Sequence, residues 1–147
     1  MFGKGALIKM ANGEYKDISL IVVGDYILNK FNHSIKVNRI HIKSEQTVVE
    51  VILDNDALPF YVIPTTTFLY RNVNDIGDHD SGYAFISTIY KNECKLKSSM
   101  KVFSPQSDVT IEQYTEYIGT MDTYCLHVNE TTYSFIANNC IVCCENC

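Results

Sequence analysis

The sequence predicts an all-β domain, and three observations support that prediction. Val, Ile, Thr, Tyr and Phe form short runs along almost the whole chain, and these residue types are typical of strands. Gly, Asn and Asp separate the runs at short intervals, as expected for turns. No long segment repeats apolar residues at helical spacing, and strands do not alternate with helices.

The predicted strands are short apolar runs bounded by turn residues. They are residues 6–10, 14–18, 18–23, 26–28, 35–42, 47–53, 60–63, 65–70, 83–90, 123–128 and 133–137. Asn12-Gly13 favours a hairpin between the first two runs, because both residues tolerate positive φ. Gly24-Asp25 indicates another turn.

Three segments are less regular. Residues 71–82 are the most polar stretch and predict an exposed loop. Residues 109–118 fit either a short helix or a strand. Residues 91–108 are mixed, and their lysines are expected in solvent: Lys91, Lys95, Lys97 and Lys101.

Length and composition predict one globular domain. The chain has 147 residues, of which 46% are hydrophobic and 20% charged, so intrinsic disorder is excluded. No apolar run approaches the roughly 18 residues that span a bilayer, and the first residues do not resemble a secretory segment. The net charge is −5 and neither half is basic, so neither a membrane nor nucleic acid is an expected partner.

The cysteines are concentrated at one end of the chain. Four of the six, Cys140, Cys143, Cys144 and Cys147, lie within the last eight residues. Without a secretory segment, the expectation is a reducing compartment and free thiols.

Both ends of the chain resemble one family. At the start of the chain, the matching segments contain residue 1, a Gly-x pair, an Asn-Gly hairpin and a Gly-Asp turn, and they are 1–6, 12–18 and 23–28. At the other end, the matching segments are the last two strands, 124–128 and 134–142. They resemble the Hint superfamily, which comprises inteins and Hedgehog autoprocessing domains. Gly5-Ala6 stands where the family has Gly-Thr, so that hydroxyl is missing.

The resemblance implies a fold and an activity. The fold is a flattened β horseshoe with pseudo-twofold symmetry, in which both chain ends meet at the centre. Residues 1–147 would form one domain of mini-intein size without a homing endonuclease, with 71–110 as the variable region. The activity is autocatalytic splicing or cleavage of the domain's own flanking host segments in cis, by a monomer without a cofactor, in the compartment of the host protein, expected to be the cytoplasm.

Residue 1 departs from the family pattern. In inteins it is Cys or Ser, whose side chain attacks the preceding carbonyl, and here it is Met1. A thioether has no proton to lose, so this step is predicted to be absent. Met1 either replaces an earlier cysteine, by evolution or engineering, or belongs to a chain that naturally lacks the step.

The family's second block has Thr-x-x-His, which polarises the scissile amide. Here Ile63 falls on the Thr position and Thr66 on the His position. A hydroxyl cannot replace imidazole as an acid near neutral pH, so Thr66 is predicted only to line the site. Its neighbours Thr65 and Thr67 fit an ordinary β surface.

Cys125 falls where inteins carry Asp or Cys. In one intein class without a residue-1 nucleophile, this Cys attacks the upstream bond directly. That class also has a Trp in the second block, and this chain has no Trp, with Phe68 the nearest equivalent. Cys125 is therefore either that nucleophile or a buried apolar residue. His127 is predicted to share its strand face, where it would lower the thiol pKa or serve a structural role.

The last residues fit the family in two registers. Inteins end in His-Asn followed by Cys, Ser or Thr, and the Asn cyclises. Glu145-Asn146-Cys147 supplies the Asn and the Cys but not the His. Counting without a gap from Phe135-Ile136-Ala137-Asn138 instead puts Cys143 and Cys144 on the His-Asn positions.

A metal site in the tail is the less favoured interpretation. Cys140, Cys143, Cys144 and Cys147 have a spacing that binds Zn²⁺. Neighbouring strand residues point to opposite faces, so four ligands within eight residues are geometrically tight. Adventitious zinc or intermolecular disulfides are expected in preference to a dedicated site.

The sequence therefore predicts an intein-like domain with its residue-1 step disabled and at most residual cyclisation at Asn146. Two alternatives stay open. One is an inert Hint-fold binding or structural module with a cysteine-rich tail. The other is an engineered precursor arrested by its substitution at residue 1.

Overall fold

A computed structural model describes residues 1–54, 58–73, 81–98, 108–128 and 134–143. The strands are β1 Phe2–Gly3, β2 Leu7–Lys9, β3 Tyr15–Asp17, β4 Tyr26–Leu28, β5 Ser34–Gln46, β6 Val49–Leu53, β7 Phe60–Val62, β8 Thr67–Arg71, β9 Gly82–Phe85, β10 Lys95–Lys97, β11 Asp108–Val109, β12 Ile111–Glu116, β13 Met121–Val128, β14 Ser134–Ala137 and β15 Cys140–Cys143. A 3₁₀ turn covers Ile18–Leu20, and one short helix, α1, covers Ile86–Lys91. The prediction of an all-β domain is confirmed.

The strands form two antiparallel sheets. The first has the order β12-β6-β7-β1-β13-β5-β4, and the second has the order β11-β10-β8-β15-β14-β2-β3, with β9 paired to β8. Strand β1 thus lies in the middle of the first sheet, between β7 and β13. Strand β15 lies in the middle of the second sheet, between β8 and β14. The first and last described strands are both interior strands.

Aromatic side chains join the two sheets. The ring centroid of Phe2 in the first sheet lies 6.1 Å from that of Phe68 and 5.9 Å from that of Phe135, and both of these residues belong to the second sheet. The rings of Phe60 and Phe68 make a further contact, with their centroids 6.2 Å apart. All four are buried, and burial of such rings is the largest hydrophobic contribution that a residue can make to a core.

The predicted turns are present where the sequence favours positive φ. Gly13, with a φ of 87°, closes the turn between β2 and β3, and its amide donates to the carbonyl of Met10. Gly24 has a φ of 97° in the turn before β4. The segment 109–118, for which helix and strand were both open, is extended and includes β12.

Three sequence-based predictions of local structure are wrong. The strand predicted at residues 18–23 is replaced by the 3₁₀ turn Ile18–Leu20, because the Asp17 side chain accepts from the Ser19 amide and caps the turn. The strand predicted at 83–90 ends at Phe85 and continues as helix α1, because Ile86 and Ile89 bury one helical face at a spacing of three. Lys97, predicted in solvent, is 0% exposed. Its ammonium is 2.9 Å from Asp108, whose other carboxylate oxygen is 2.7 Å from Arg71, so the buried charge is paired.

Among the described residues, no helix has the length and apolar character needed to cross a membrane.

Candidate functional site

The first residue is held at the centre of the fold. Phe2 pairs with Tyr124 on one side and with Val62 on the other. Met1 is consequently only 3% exposed. The expectation that the head of the chain lies at the centre of the sheet structure is met because Phe2 anchors it in the core between the sheets.

Thr66 holds the backbone of Met1 from both sides. The Met1 nitrogen donates to the Thr66 hydroxyl oxygen at 3.0 Å, and that hydroxyl donates to the Met1 carbonyl at 3.0 Å. The Ile63 amide donates to the same carbonyl at 3.2 Å. Thr66 is 0% exposed in the turn between β7 and β8, where its amide donates to the Ile63 carbonyl. The hydroxyl thus lies at the nitrogen of residue 1.

Thr123 is a site residue that the sequence did not single out. Its hydroxyl donates to the sulfur of Met1 at 3.7 Å, and the residue is fully buried. Thr123 and Cys125 are two residues apart on β13 and therefore share a face of the strand. That alternation was the only sequence signal available, and a threonine in a strand does not stand out by itself.

Cys125 lies beside Met1. Because Phe2 pairs with Tyr124, continuing the antiparallel register by one residue places Met1 opposite Cys125. Met1, Cys125 and Cys143 together line a cavity of about 10 Å³, which has room for about one water molecule. Cys125 is 4% exposed.

The expectation of free thiols is wrong at Cys125. Cys125 is disulfide-bonded, whereas Cys94, Cys140 and Cys143 are not. Cys143, at the end of β15, lines the same cavity as Cys125, and spacing along the sequence does not reveal that proximity.

His127 lies outside this cavity. It pairs with Arg39 on β5, and burial together with the charges of Arg39 and His41 lowers its pKa. Its Nε2 atom is buried and has no hydrogen-bond partner among the described residues. The residues lining the cavity beside Met1 include Cys125 but not His127. The structure therefore brings together Met1, Thr66, Thr123 and Cys125, whereas His127 lies outside the cavity.

The carboxyl-terminal hairpin brings Cys143 to the same cavity. Strands β14 and β15 are joined by Asn138 and Asn139, whose φ values of 50° and 63° suit a two-residue hairpin turn. Strand β15 ends at Cys143, which lines the cavity with Met1. Of the predicted tail residues, Cys144, Asn146 and Cys147 lie outside the described residues.

The described cysteines do not form a metal centre. Within the described ranges no three or more His, Cys, Asp or Glu side chains are grouped as metal ligands. Burial, with a smaller contribution from Asp54, raises the pKa of Cys140 to about 12, so this sulfur stays protonated and is a poor ligand. Cys140 and Cys143 are three residues apart on β15 and therefore lie on opposite faces.

Solved structures of inteins and of an intein-like domain resemble the chain over nearly its whole length. An intein-like domain from Clostridium thermocellum is 15% identical, with a TM-score of 0.74 and 96% of each chain covered. The gp41-1 intein is 17% identical, with a TM-score of 0.72, 97% of this chain and 98% of that one covered. A DnaB intein from Synechocystis sp. PCC 6803 is 20% identical, with a TM-score of 0.69 and 98% of each chain covered.

The chain has the Hint fold, which is the fold of inteins. No protein-family profile and no curated protein matches its sequence.

Proposed function

We propose that this chain is a single-turnover, self-processing domain of the intein type in which Cys125 replaces residue 1 as the nucleophile. Its target would be the peptide bond that precedes Met1 in a longer polypeptide. The observation that supports the proposal is the position of Cys125, which faces Met1 across the β1–β13 ladder and lines the same small cavity.

The chemistry of residue 1 makes a second nucleophile necessary. The thioether of Met1 has no proton to lose, and attack by it would leave a sulfonium ion rather than a neutral thioester. The thiol of Cys125 has neither limitation once it is reduced. It is also the cysteine that the strand register puts next to the bond in question.

The proposed step conserves atoms and charge. The Cys125 thiolate attacks the carbonyl carbon of the residue before Met1, and the bond from that carbon to the Met1 nitrogen breaks. The nitrogen takes up one proton and becomes the amine of Met1, while the acyl group stays on Cys125 as a thioester. Water or an added thiol then releases the acyl group, and no cofactor takes part.

Thr66 would orient the scissile bond. In a longer chain the Met1 nitrogen becomes an amide, which retains one N–H to donate to the Thr66 hydroxyl. The carbonyl contact fixes the other side of the same residue. Because a hydroxyl is not an acid near neutral pH, Thr66 positions the bond and the leaving nitrogen takes its proton from water. Slow cleavage is therefore expected.

At the other end, we propose at most residual cyclisation at Asn146. Cys143 lies at the cavity with Met1, which supports the ungapped register that puts Cys143 and Cys144 where inteins have His and Asn. A thiol side chain at either position cannot carry out Asn cyclisation. Asn146 keeps the Asn-Cys pair but stands two residues later in the sequence.

The test is intact mass after fusion of a short reporter segment upstream of Met1, under reducing conditions. The parent is expected to release the reporter, Cys125→Ala to abolish release, and Cys94→Ala, in the second half of the chain, to release it as the parent does. Loss of Cys147 alone would reveal cyclisation at Asn146. An uncleaved parent would instead favour an inert binding or structural module, the alternative that the substitution at residue 1 suggests.

A further inference from the structure

Basic side chains gather on the face of the first sheet that contains Cys125. The ladder between β13 and β5 places His41 opposite Cys125 and Arg39 opposite His127. Lys43 follows His41 on β5 at the same alternation. Alternate residues of a strand and their direct cross-strand partners share one face of the sheet. Arg39, His41, Lys43 and His127 therefore form one group, called the basic row below, and no carboxylate lies between its members on this face.

The charge of the basic row is not offset by the residues around it. Within the described ranges, none of its members forms a salt bridge. The Nε2 atom of His127 is buried and has no hydrogen-bond partner in those ranges. Burial and the charges of Arg39 and His41 lower the pKa of His127, which shows that its neighbours are cationic. A buried polar atom without a partner and a local excess of positive charge both favour an anionic ligand.

The register of β1 directs the segment upstream of Met1 to this row. Met1 lies opposite Cys125. Continued by two residues, the same antiparallel register places the second residue upstream of Met1 opposite His127. That residue has its side chain on the same face as Met1, because side chains alternate along a strand. It would be the direct neighbour of His127, with Arg39 on the next strand.

We propose that the basic row is a recognition site for an acidic residue, aspartate or glutamate, at the second position upstream of Met1. This inference rests on the proposed function, since it names the substrate segment of the same site. The carboxylate would accept hydrogen bonds from the Nε2 atom of His127 and from the guanidinium of Arg39. The other two members of the row would add electrostatic attraction without direct contact.

Recognition at this position would hold the scissile bond beside Cys125. The bond joins Met1 to the first upstream residue, and the Met1 nitrogen already donates to Thr66. A carboxylate held one residue farther upstream would restrain the bond from its other side, so that the carbonyl carbon stays near the sulfur. Such positioning raises the rate of reaction between groups of one molecule. The basic row would thus set substrate specificity without touching the reacting atoms.

The first test compares reporter segments that differ only at the second position upstream of Met1, under reducing conditions and near neutral pH. Glutamate, its neutral isostere glutamine, and lysine are placed there in turn, and release is followed by intact mass. Glutamate is expected to give release about tenfold faster than glutamine, the effect of one hydrogen bond to a charged group, and lysine the slowest release. Equal rates for glutamate and glutamine overturn the inference while the proposed function stands.

A matched segment controls for charge alone. It has glutamine at the second position and glutamate at the third, where the side chain lies on the opposite face of the strand. Its release is expected to match that of the segment with glutamine alone. Acceleration as large as that from the second position would show that the row attracts acidic segments in general and does not read this position.

Substitutions in the basic row are expected to remove the preference. In the double variant Arg39→Gln/His127→Gln, segments with glutamate and glutamine should be released at similar rates. Lys36→Gln, which removes an exposed charge from the same strand outside the row, should retain the preference. Because Arg39 is exposed, Arg39→Gln alone should fold as the parent does and weaken the preference. A preference that persists in the double variant overturns the inference.

A second measurement does not depend on cleavage. Cys125→Ala keeps the reporter attached, and the pKa of His127 is measured by NMR in fusions with glutamate or glutamine at the second position. A carboxylate beside the imidazole stabilises its charged form, so the pKa is expected to be higher with glutamate. Arg39 and His41 also face His127 and are the same in both fusions. Equal pKa values overturn the inference. If the pKa values differ but no segment is released from the parent chain, the recognition site is supported and the proposed nucleophile fails.

Discussion

The centres of the two sheets each contain a buried cysteine, and the two cysteines differ in their chemistry. Cys140 sits in β15 within the second sheet, fully buried, with its pKa raised to about 12 by burial and by Asp54. Cys125 sits in β13 within the first sheet, almost as buried, yet it is oxidised and lies beside the first residue of the chain. Burial by itself makes a thiol inert, and what distinguishes Cys125 is the chain end placed next to it.

The largest expected difference between these regions is in thiol reactivity. At pH 8 a thiol with a pKa of about 12 is ionised more than a thousandfold less than an ordinary cysteine with a pKa of about 8.5. In reduced, folded protein Cys140 should therefore escape alkylation under conditions that label a cysteine in a short peptide completely. Peptide mass mapping after timed alkylation measures this, with urea-unfolded protein as the control. Labelling of Cys140 at the peptide rate would show that its surroundings do not hold it protonated.

The second largest expected effect is the loss of stability when the Phe2 ring, which holds β1 in the core, is removed. Phe2→Ala removes a ring that contacts Phe68 and Phe135, and the free energy of unfolding should fall by about 3–5 kcal/mol. Urea unfolding measures the change. Phe31→Ala removes a ring that is 50% exposed and should change stability by less than about 1 kcal/mol. Similar losses in both variants would mean that β1 is not held by its core contact.

The hydrogen bonds of Thr66 to Met1 should contribute less to the free energy of unfolding than the Phe2 ring does. Thr66→Val keeps the shape of the side chain but leaves the Met1 backbone groups without this buried partner, at a cost of about 1–3 kcal/mol. Thr65→Val, at the exposed neighbouring position, is the matched control and should cost little. Thr66→Ser should recover most of the loss, and failure of Ser to recover it would show that the methyl group, rather than the hydroxyl, stabilises the turn.

The smallest expected effect concerns His127 in the first sheet. Burial, Arg39 and His41 lower its pKa, so the folded chain resists its protonation more than the unfolded chain, where histidine titrates near pH 6.5. Below about that pH the unfolded state binds more protons, and stability is lost as the pH falls. His127→Gln should flatten this decline in urea unfolding between about pH 7 and pH 5. His33→Gln supplies the background, and an unchanged slope in His127→Gln would contradict the assignment.

The fold was largely predictable because its signals are local. Asn12-Gly13 predicts its hairpin since few residue pairs accept that backbone geometry, and the strands predicted at 123–128 and 133–137 follow from β-branched and aromatic runs between turn residues. Helix α1 was missed because Ile86 and Ile89 occur within a run that also fits a strand. Lys97 was misplaced because its partner Asp108 is eleven residues away, beyond any local pattern.

The site was less predictable than the fold. Thr66 could be aligned on a family motif, and its hydroxyl indeed lies at the Met1 nitrogen. Thr123 carried no signal beyond its alternation with Cys125 along β13, since its contact with Met1 spans 122 residues of sequence. The oxidation of Cys125 depends on which sulfurs the fold brings together, and the spacing of cysteines along the chain does not determine that.

Capture of the thioester would test the central claim most directly. The chain with an upstream reporter segment is reduced, quenched in acid and digested, and the peptides are searched for the mass of the reporter's acyl group. The account predicts that the acyl group is attached to the peptide containing Cys125 and that hydroxylamine removes it. An acyl group on a different cysteine, or reporter release that persists in Cys125→Ala, would contradict it.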